Sequence, residues 1–166
     1  MRENKGVTLV ALVITVIVLG IIASISIYSG KEMIKSANLE ALKTNMLMIQ
    51  AKAREYVEEV SFKMGPTPDE GRRPEVREEV YETTAKLQKA SESGENIPSQ
   101  IPKNNCYYVT PEALESLGLN KIELEEGEAY FVKFDETNLT VEVYNNIGFN
   151  NVYSLTEIDK IELSII

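Results

Sequence analysis

The sequence predicts an α+β fold: a long N-terminal helix, membrane-spanning in its first half, whose outer half packs on a small antiparallel sheet of about three or four strands. Three observations carry this. The run from Val7 to Gly30 holds no charged residue. The stretch from Lys31 to Met64 repeats its apolar residues at helical spacing. The final third, from Cys106 onward, turns to short runs rich in Val, Tyr, Phe and Ile.

The apolar run comes first. Its polar side chains are limited to Thr8, Thr15, Ser24, Ser26, Tyr28 and Ser29. At about 1.5 Å per residue, a helix of this length crosses a hydrocarbon core of about 30 Å. Hydroxyls are tolerated there because Ser and Thr bond back to helix carbonyls. The run is rich in Val and Ile, weak helix formers in water, but in lipid the backbone must satisfy itself and the helix wins. Three other readings compete. A soluble core helix rarely runs this far without charge. A secretory signal has an apolar region of only about 7–15 residues, although Ser24 and Ser26 form a weak S-x-S site. A simple uncleaved anchor is the third. Flanking charge does not choose an orientation, since Arg2 and Lys5 precede the run and Lys31 and Lys35 follow it.

The residues before the run discriminate. Lys5-Gly6-Val7-Thr8-Leu9 resembles the class III signal of the type IV pilin family, which includes type II secretion and competence pseudopilins. In that family a membrane aspartyl peptidase cuts after the Gly and usually methylates the new N-terminus. The apolar segment then anchors the subunit and later packs in a filament core. The resemblance covers about the first 30 residues. It implies processing between Gly6 and Val7, and a leader over 1–6. It further implies a transmembrane or filament-core helix over 7–30 and a pilin-like head over 31–166. The implied partners are a prepilin peptidase, other pilin-like subunits and membrane lipid, with the head outside the cytoplasm. One departure stands out: most members carry Glu at the fifth residue after the cut, and this chain has Ala11. In the family that Glu is held to pair with the N-terminal ammonium of a neighbour. Minor subunits at the filament tip often lack it, and some clostridial-type pilin-like proteins carry small residues there. An uncleaved single-pass protein whose head binds an envelope partner is the alternative.

The remaining elements follow in order. Leu39, Leu42, Met46, Ile49, Ala53, Tyr56 and Val60 form one stripe, opposite Lys43, Lys52, Arg54, Glu55, Glu58 and Glu59. A sheet from the same chain covers such a stripe better than a coiled-coil partner, because about two heptads are too few to define a seam. Gly65-Pro66-Thr67-Pro68 ends the helix. Residues 74–90 read as a short surface helix, and 91–105 as a loop with Gly94, Pro98 and Pro102. Cys106 to Val109 reads as a strand. Thr110-Pro111-Glu112 starts a helix that stops at Gly118, with Thr as cap and Pro in the first turn. Ala129 to Phe134 and Leu139 to Tyr144 pair across Asp135-Glu136-Thr137-Asn138 as a hairpin. The following Tyr-Asn-Asn-x-Gly, Tyr144 to Gly148, with Val152 to Leu155 after it, resembles weakly the head ending of clostridial pilin-like proteins. Ile161, Leu163 and Ile165 alternate as a last strand would.

Composition narrows the chemistry. With 0 His and 1 Cys, Ser-His-Asp and Cys-His catalysis, ordinary zinc sites and an intrachain disulfide are excluded. A net charge of -9 opposes non-specific nucleic-acid binding. Glu123, Glu125, Glu126 and Glu128 surround Gly127, but calcium loops prefer Asp, Asn and backbone oxygens, so a solvated turn is the simpler reading. Turn chemistry likewise accounts for Asp135, Glu136 and Asn138. Arg72, Arg73 and Arg77, with Lys86 and Lys89, are interleaved with Glu70, Glu75, Glu78 and Glu79, as on a mixed-charge helix. Cys106 reads as a small buried hydrophobe. The expectation is a structural protein rather than an enzyme, with no catalytic residue, cofactor, metal or nucleic-acid partner.

Overall fold

The computed structural model describes residues 5–64, 82, 86–135 and 140–162; within its first helix the side chains are described for 11–24 and 30–59. It is α+β, with helices and one five-stranded antiparallel sheet. Two compact units emerge, the first running to Glu40 and the second comprising Ala41–Glu162.

Helix α1 spans Lys5–Met64. Its described part ends at Met64, and Gly65-Pro66-Thr67-Pro68, the helix stop expected from the sequence, lies outside the described residues. In the first unit, residues 11–24 present their side chains to the outside all the way round.

In the second unit α1 buries Met46, Ile49, Ala53 and Val57. The expected stripe holds as far as Ala53, with Leu42 half-buried; Tyr56 is then half-buried and Val57 takes the inner position. A straight helix has 3.6 residues per turn, so a strict 3,4 repeat drifts off the face and a second four-residue step restores it. Val60 lies outside the described side chains. Ile49, Ala53 and Tyr56 meet Leu87, Val109, Leu117, Val132 and Phe134 around a void of only about 10 Å³. Gln50 Nε2 donates to the Val141 carbonyl at 2.8 Å. Lys43 Nζ donates to the carbonyls of Ile161 at 3.0 Å and Asp159 at 3.3 Å.

The sheet runs β1 (Gln88–Lys89), β2 (Cys106–Tyr108), β3 (Tyr130–Asp135), β4 (Thr140–Phe149) and β5 (Val152–Ser154), each strand beside its sequence neighbour. Alternation sorts the side chains into two faces. Tyr107, Val132, Phe134, Val141 and Val143 lie on the α1 side and are buried. Cys106 and Phe131 lie on the other, where Ala90, Ile101 and Ala129 join them, with Ile97, Tyr108, Tyr144 and Tyr153 packed around. Between β2 and β3, α2 (Pro111–Ser116) begins at Thr110. Thr110 Oγ1 accepts from the Ala113 N–H and donates to the Lys86 carbonyl, each at 3.1 Å. Gly118 follows with φ +71°, the left-handed stop read from the sequence.

Four expectations are corrected. The sheet has five strands, not three or four, because β1 and β5 are two- and three-residue edges with no period of their own. The surface helix expected over 74–90 does not reach its end: Gln88–Lys89 pair with Tyr107 and Tyr108, and Ala90–Glu92 form a 3₁₀ turn. Residues 83–85 and the start of that segment lie outside the described residues. Strand β4 continues past Tyr144 to Phe149 through an irregular register. Ile161 is in no strand; α3 (Leu155–Ile158) occupies the chain just before it, capped by Ser154, whose Oγ accepts from the Glu157 N–H. Leu163 and Ile165 lie outside the described residues. The hairpin of β3 and β4 stands, with Asp135 opposite Thr140.

Candidate functional site

The Lys5-Gly6-Val7-Thr8-Leu9 stretch lies in the N-terminal part of α1. The backbones of Gly6 and Val7 are helical, and their side chains lie outside the described set. Ala11 is exposed. Beyond it, Leu12, Ile14, Val16, Leu19 and Ile21 are each more than half exposed, and Val13, Ile17, Val18 and Ile22 complete the circumference. The two hydroxyls in this stretch turn inward: Thr15 Oγ1 donates to the Leu12 carbonyl and Ser24 Oγ to the Gly20 carbonyl, both at 2.7 Å. The segment therefore offers surroundings neither a charge nor an unanswered hydroxyl. Burying these nine aliphatic side chains is worth on the order of 10 kcal/mol, at about 1 kcal/mol for each half-exposed group. A helix apolar all round is a helix made to be surrounded. No helix among the described residues is long and apolar enough to cross a membrane. Residues 11–24 alone span about 21 Å, short of a hydrocarbon core of about 30 Å.

The other candidate residues do not gather into one place. Glu123, Glu125 and Glu126 are exposed, and Gly127 has φ +77°. Glu128 is bound into the fold. Its Oε2 accepts from the Glu125 N–H at 2.9 Å and its Oε1 from Asn145 Nδ2 at 2.7 Å. Among the described residues no group of three or more acidic or Cys side chains is placed to hold a metal ion. Asp135 ends β3, while Glu136 and Asn138 lie outside the described residues, as do Arg72, Arg73 and Arg77. Lys89 lies in β1, 3.6 Å from Glu82. Cys106 is buried as expected, and burial pushes its thiol up to about 12, with Lys133 opposing weakly.

Two features escape a sequence reading. The first is the Asn145–Asn146 pair. Asn145 is fully buried, and its Oδ1 accepts from the N–H groups of Ile147 at 2.9 Å and Gly148 at 2.7 Å. Asn146 Oδ1 accepts from the Ala129 N–H, and its Nδ2 donates to the Gly127 carbonyl. The motif thus shapes the β4 irregularity and holds the acidic turn. Ile147 and Gly148 are local, but Ala129, Gly127 and Glu128 lie 17 or more residues away, which no local pattern reveals. The second is a groove of about 370 Å³ on the face of the sheet away from α1. Gln100, Tyr144, Asn151, Val152, Tyr153, Ser154 and Glu157 line it. Burial, then the charge of Glu142, push the Tyr144 phenol up to about 12.

Comparison of the chain with protein-family models, with curated proteins and with solved structures finds no match.

Proposed function

We propose that this chain is a structural subunit, a pilin or pseudopilin, of a type IV pilus or of a type II secretion or competence-like filament. A prepilin peptidase cuts it after Gly6. The segment from Val7 to Gly30 first anchors it in the membrane and then packs among the helices of other pilin-like subunits. The head stays outside the cytoplasm and does no bond chemistry. One observation carries the reading: closely after Lys5-Gly6-Val7-Thr8-Leu9, the helix over 11–24 is apolar on every side, and its two hydroxyls, Thr15 and Ser24, are answered internally. Assembly would be driven by van der Waals packing between such helices rather than by polar pairing. Ala11 fits a minor, tip-proximal place: in mid-filament a missing carboxylate leaves a neighbour's ammonium unpaired in a low-dielectric core, whereas at the tip fewer neighbours place an ammonium beside it.

The uncleaved single-pass anchor is favoured by one detail. Lys5, Gly6 and Val7 are helical, so the Gly6–Val7 bond lies in helical backbone that a peptidase must open. Local opening of a helical segment is ordinary, and Gly6 makes the opened backbone accessible. Expression with and without a prepilin peptidase, followed by intact-mass measurement of the membrane fraction, tests the choice. Loss of residues 1–6 only when the peptidase is present supports the pilin reading. An unchanged chain starting at Met1 under both conditions refutes it.

A further inference from the structure

The groove on the open face of the sheet has a defined wall. Tyr144 lies on β4 and Tyr153 on β5, two adjacent antiparallel strands. The loop joining them is a two-residue turn, with Asn150 at φ +50° and Asn151 at φ +62° between Phe149 and Val152. Both central residues in the left-handed region are the mark of the tight turn that matches strand twist. Gly148 then approaches the second strand so closely that a Cβ there would run into the Val152 carbonyl and lie 2.8 Å from Cδ1 of Tyr153. The Tyr153 ring lies close over the Gly148 backbone and packs against the core cluster that holds Cys106 and Phe131. A pre-set ring loses little freedom when something stacks on it.

The surroundings select the charge of what stacks. Glu157 lines the groove. Among the described residues its carboxylate pairs with Lys160, in a solvent-exposed contact at 2.8 Å, and such pairs are weak enough to exchange. Glu142 stands two residues from Tyr144 on the same face. Its carboxylate is fixed by the N–H and hydroxyl of Thr156 at 2.9 and 2.6 Å, which keeps a negative charge beside the groove. Among the described residues no Lys or Arg lines the groove itself. Gln100, Asn151 and Ser154 add neutral polar groups at its edge. The volume falls within the range of about 300–1,000 Å³ that small ligands and single anchoring side chains occupy.

We propose that this groove receives a cationic side chain, a guanidinium or ammonium carried by a basic segment of a partner polypeptide, stacked on Tyr144 and Tyr153 and paired with Glu157. The electron-rich faces of the tyrosines attract the cation, and the carboxylates exclude anions. This site belongs to the second unit and does not depend on how the N-terminal helix is processed or where it resides.

The test is two-dimensional NMR of the full chain in detergent micelles, titrated with N-acetyl-arginine amide, with its neutral isostere N-acetyl-citrulline amide, and with cellobiose. The arginine probe should shift the signals of Val152, Tyr153 and Ser154 and saturate in the millimolar range. Citrulline should bind about tenfold more weakly. Tyr153→Leu and Glu157→Gln should each weaken the arginine probe by about threefold to fivefold while leaving the β3–β4 signals in place. Equal binding of citrulline, shifts with cellobiose but not arginine, or arginine binding unaffected by Tyr153→Leu would each overturn the assignment.

Discussion

Replacing Asn145 by Asp changes one NH₂ to an oxygen and nothing else in shape. The amide orientation is fixed by its neighbours. Oδ1 faces two backbone N–H groups and must accept, so Nδ2 is the atom that meets Glu128 Oε1 at 2.7 Å. In Asn145→Asp the acceptor role survives, but two carboxylates now face each other at hydrogen-bond distance in a position with no solvent exposure. They cannot both ionise there, and the pair must retain a proton, which raises its apparent pKa. A rise of two to three units corresponds to about 3–4 kcal/mol at neutral pH. The sign follows from linkage. Below about pH 4 the unfolded Asp is itself protonated. The folded pair then keeps its hydrogen bond, with the acid proton in place of the amide proton. As pH rises, the unfolded state ionises while the folded pair holds its proton. The penalty therefore grows until the raised folded pKa is reached, and levels off above it. Urea unfolding followed by circular dichroism, wild type against variant at each pH from 4 to 8, reads the difference. With a slope of about 1.5 kcal/mol per molar urea, the midpoint gap should be about 2 M at pH 7 and fall below about 0.5 M near pH 4. Asn145→Ala should lose a similar amount at every pH. A gap for Asn145→Asp that does not change with pH, or a variant as stable as wild type at pH 7, would show that Glu128 does not face this side chain.

Other consequences are as specific. Gly148→Ala must move the Val152 carbonyl and the Tyr153 ring out of its way at a positive φ, so we expect a loss of about 2–4 kcal/mol in the same urea assay; a loss under 0.5 kcal/mol would contradict the close approach. Cys106, held up at about 12 by burial, carries almost no thiolate at pH 8. Ellman's reagent should leave it unmodified for hours in buffer and titrate one thiol in denaturant; rapid labelling of the folded chain would refute its burial. Ala11→Glu should move the protein from rare to abundant in sheared filaments if the partner subunits carry that Glu themselves. Abundant wild-type protein along the shaft would sink the tip placement.

Much of the fold was legible because its signals are local. Thr110-Pro111-Glu112 marked the start of α2, and Gly118 its end. The β3–β4 hairpin was written in two β-rich runs with a short polar link between them. The edges were less visible. β1 is defined only by its pairing with Tyr107 and Tyr108, which lie about twenty residues ahead. Strand β4 continues through Asn145 and Asn146, poor strand formers, because their side chains reach distant groups, Asn145 the Glu128 carboxylate and Asn146 the backbone of Ala129 and Gly127. Two signals were present and readable. Asn150-Asn151 is a turn pair suited to left-handed backbone, and Ser154-x-x-Glu157 is a helix-start pattern. Among candidate sites, the apolar segment was fully legible from its missing charges. The groove was not, since Gln100, Tyr144, Tyr153 and Glu157 come together only when loop, strands and α3 are assembled.

The central claim is that the chain enters a filament after losing its leader. Shearing the cell surface of the native host, purifying the released filaments and measuring the intact mass of this protein in them tests it most directly. The account predicts a chain beginning at Val7, with or without one N-methyl group, and a formal side-chain charge of about -10 in place of -9 once Arg2, Glu3 and Lys5 are gone. A chain that begins at Met1, remains in the membrane fraction and never accompanies the sheared filaments would contradict it.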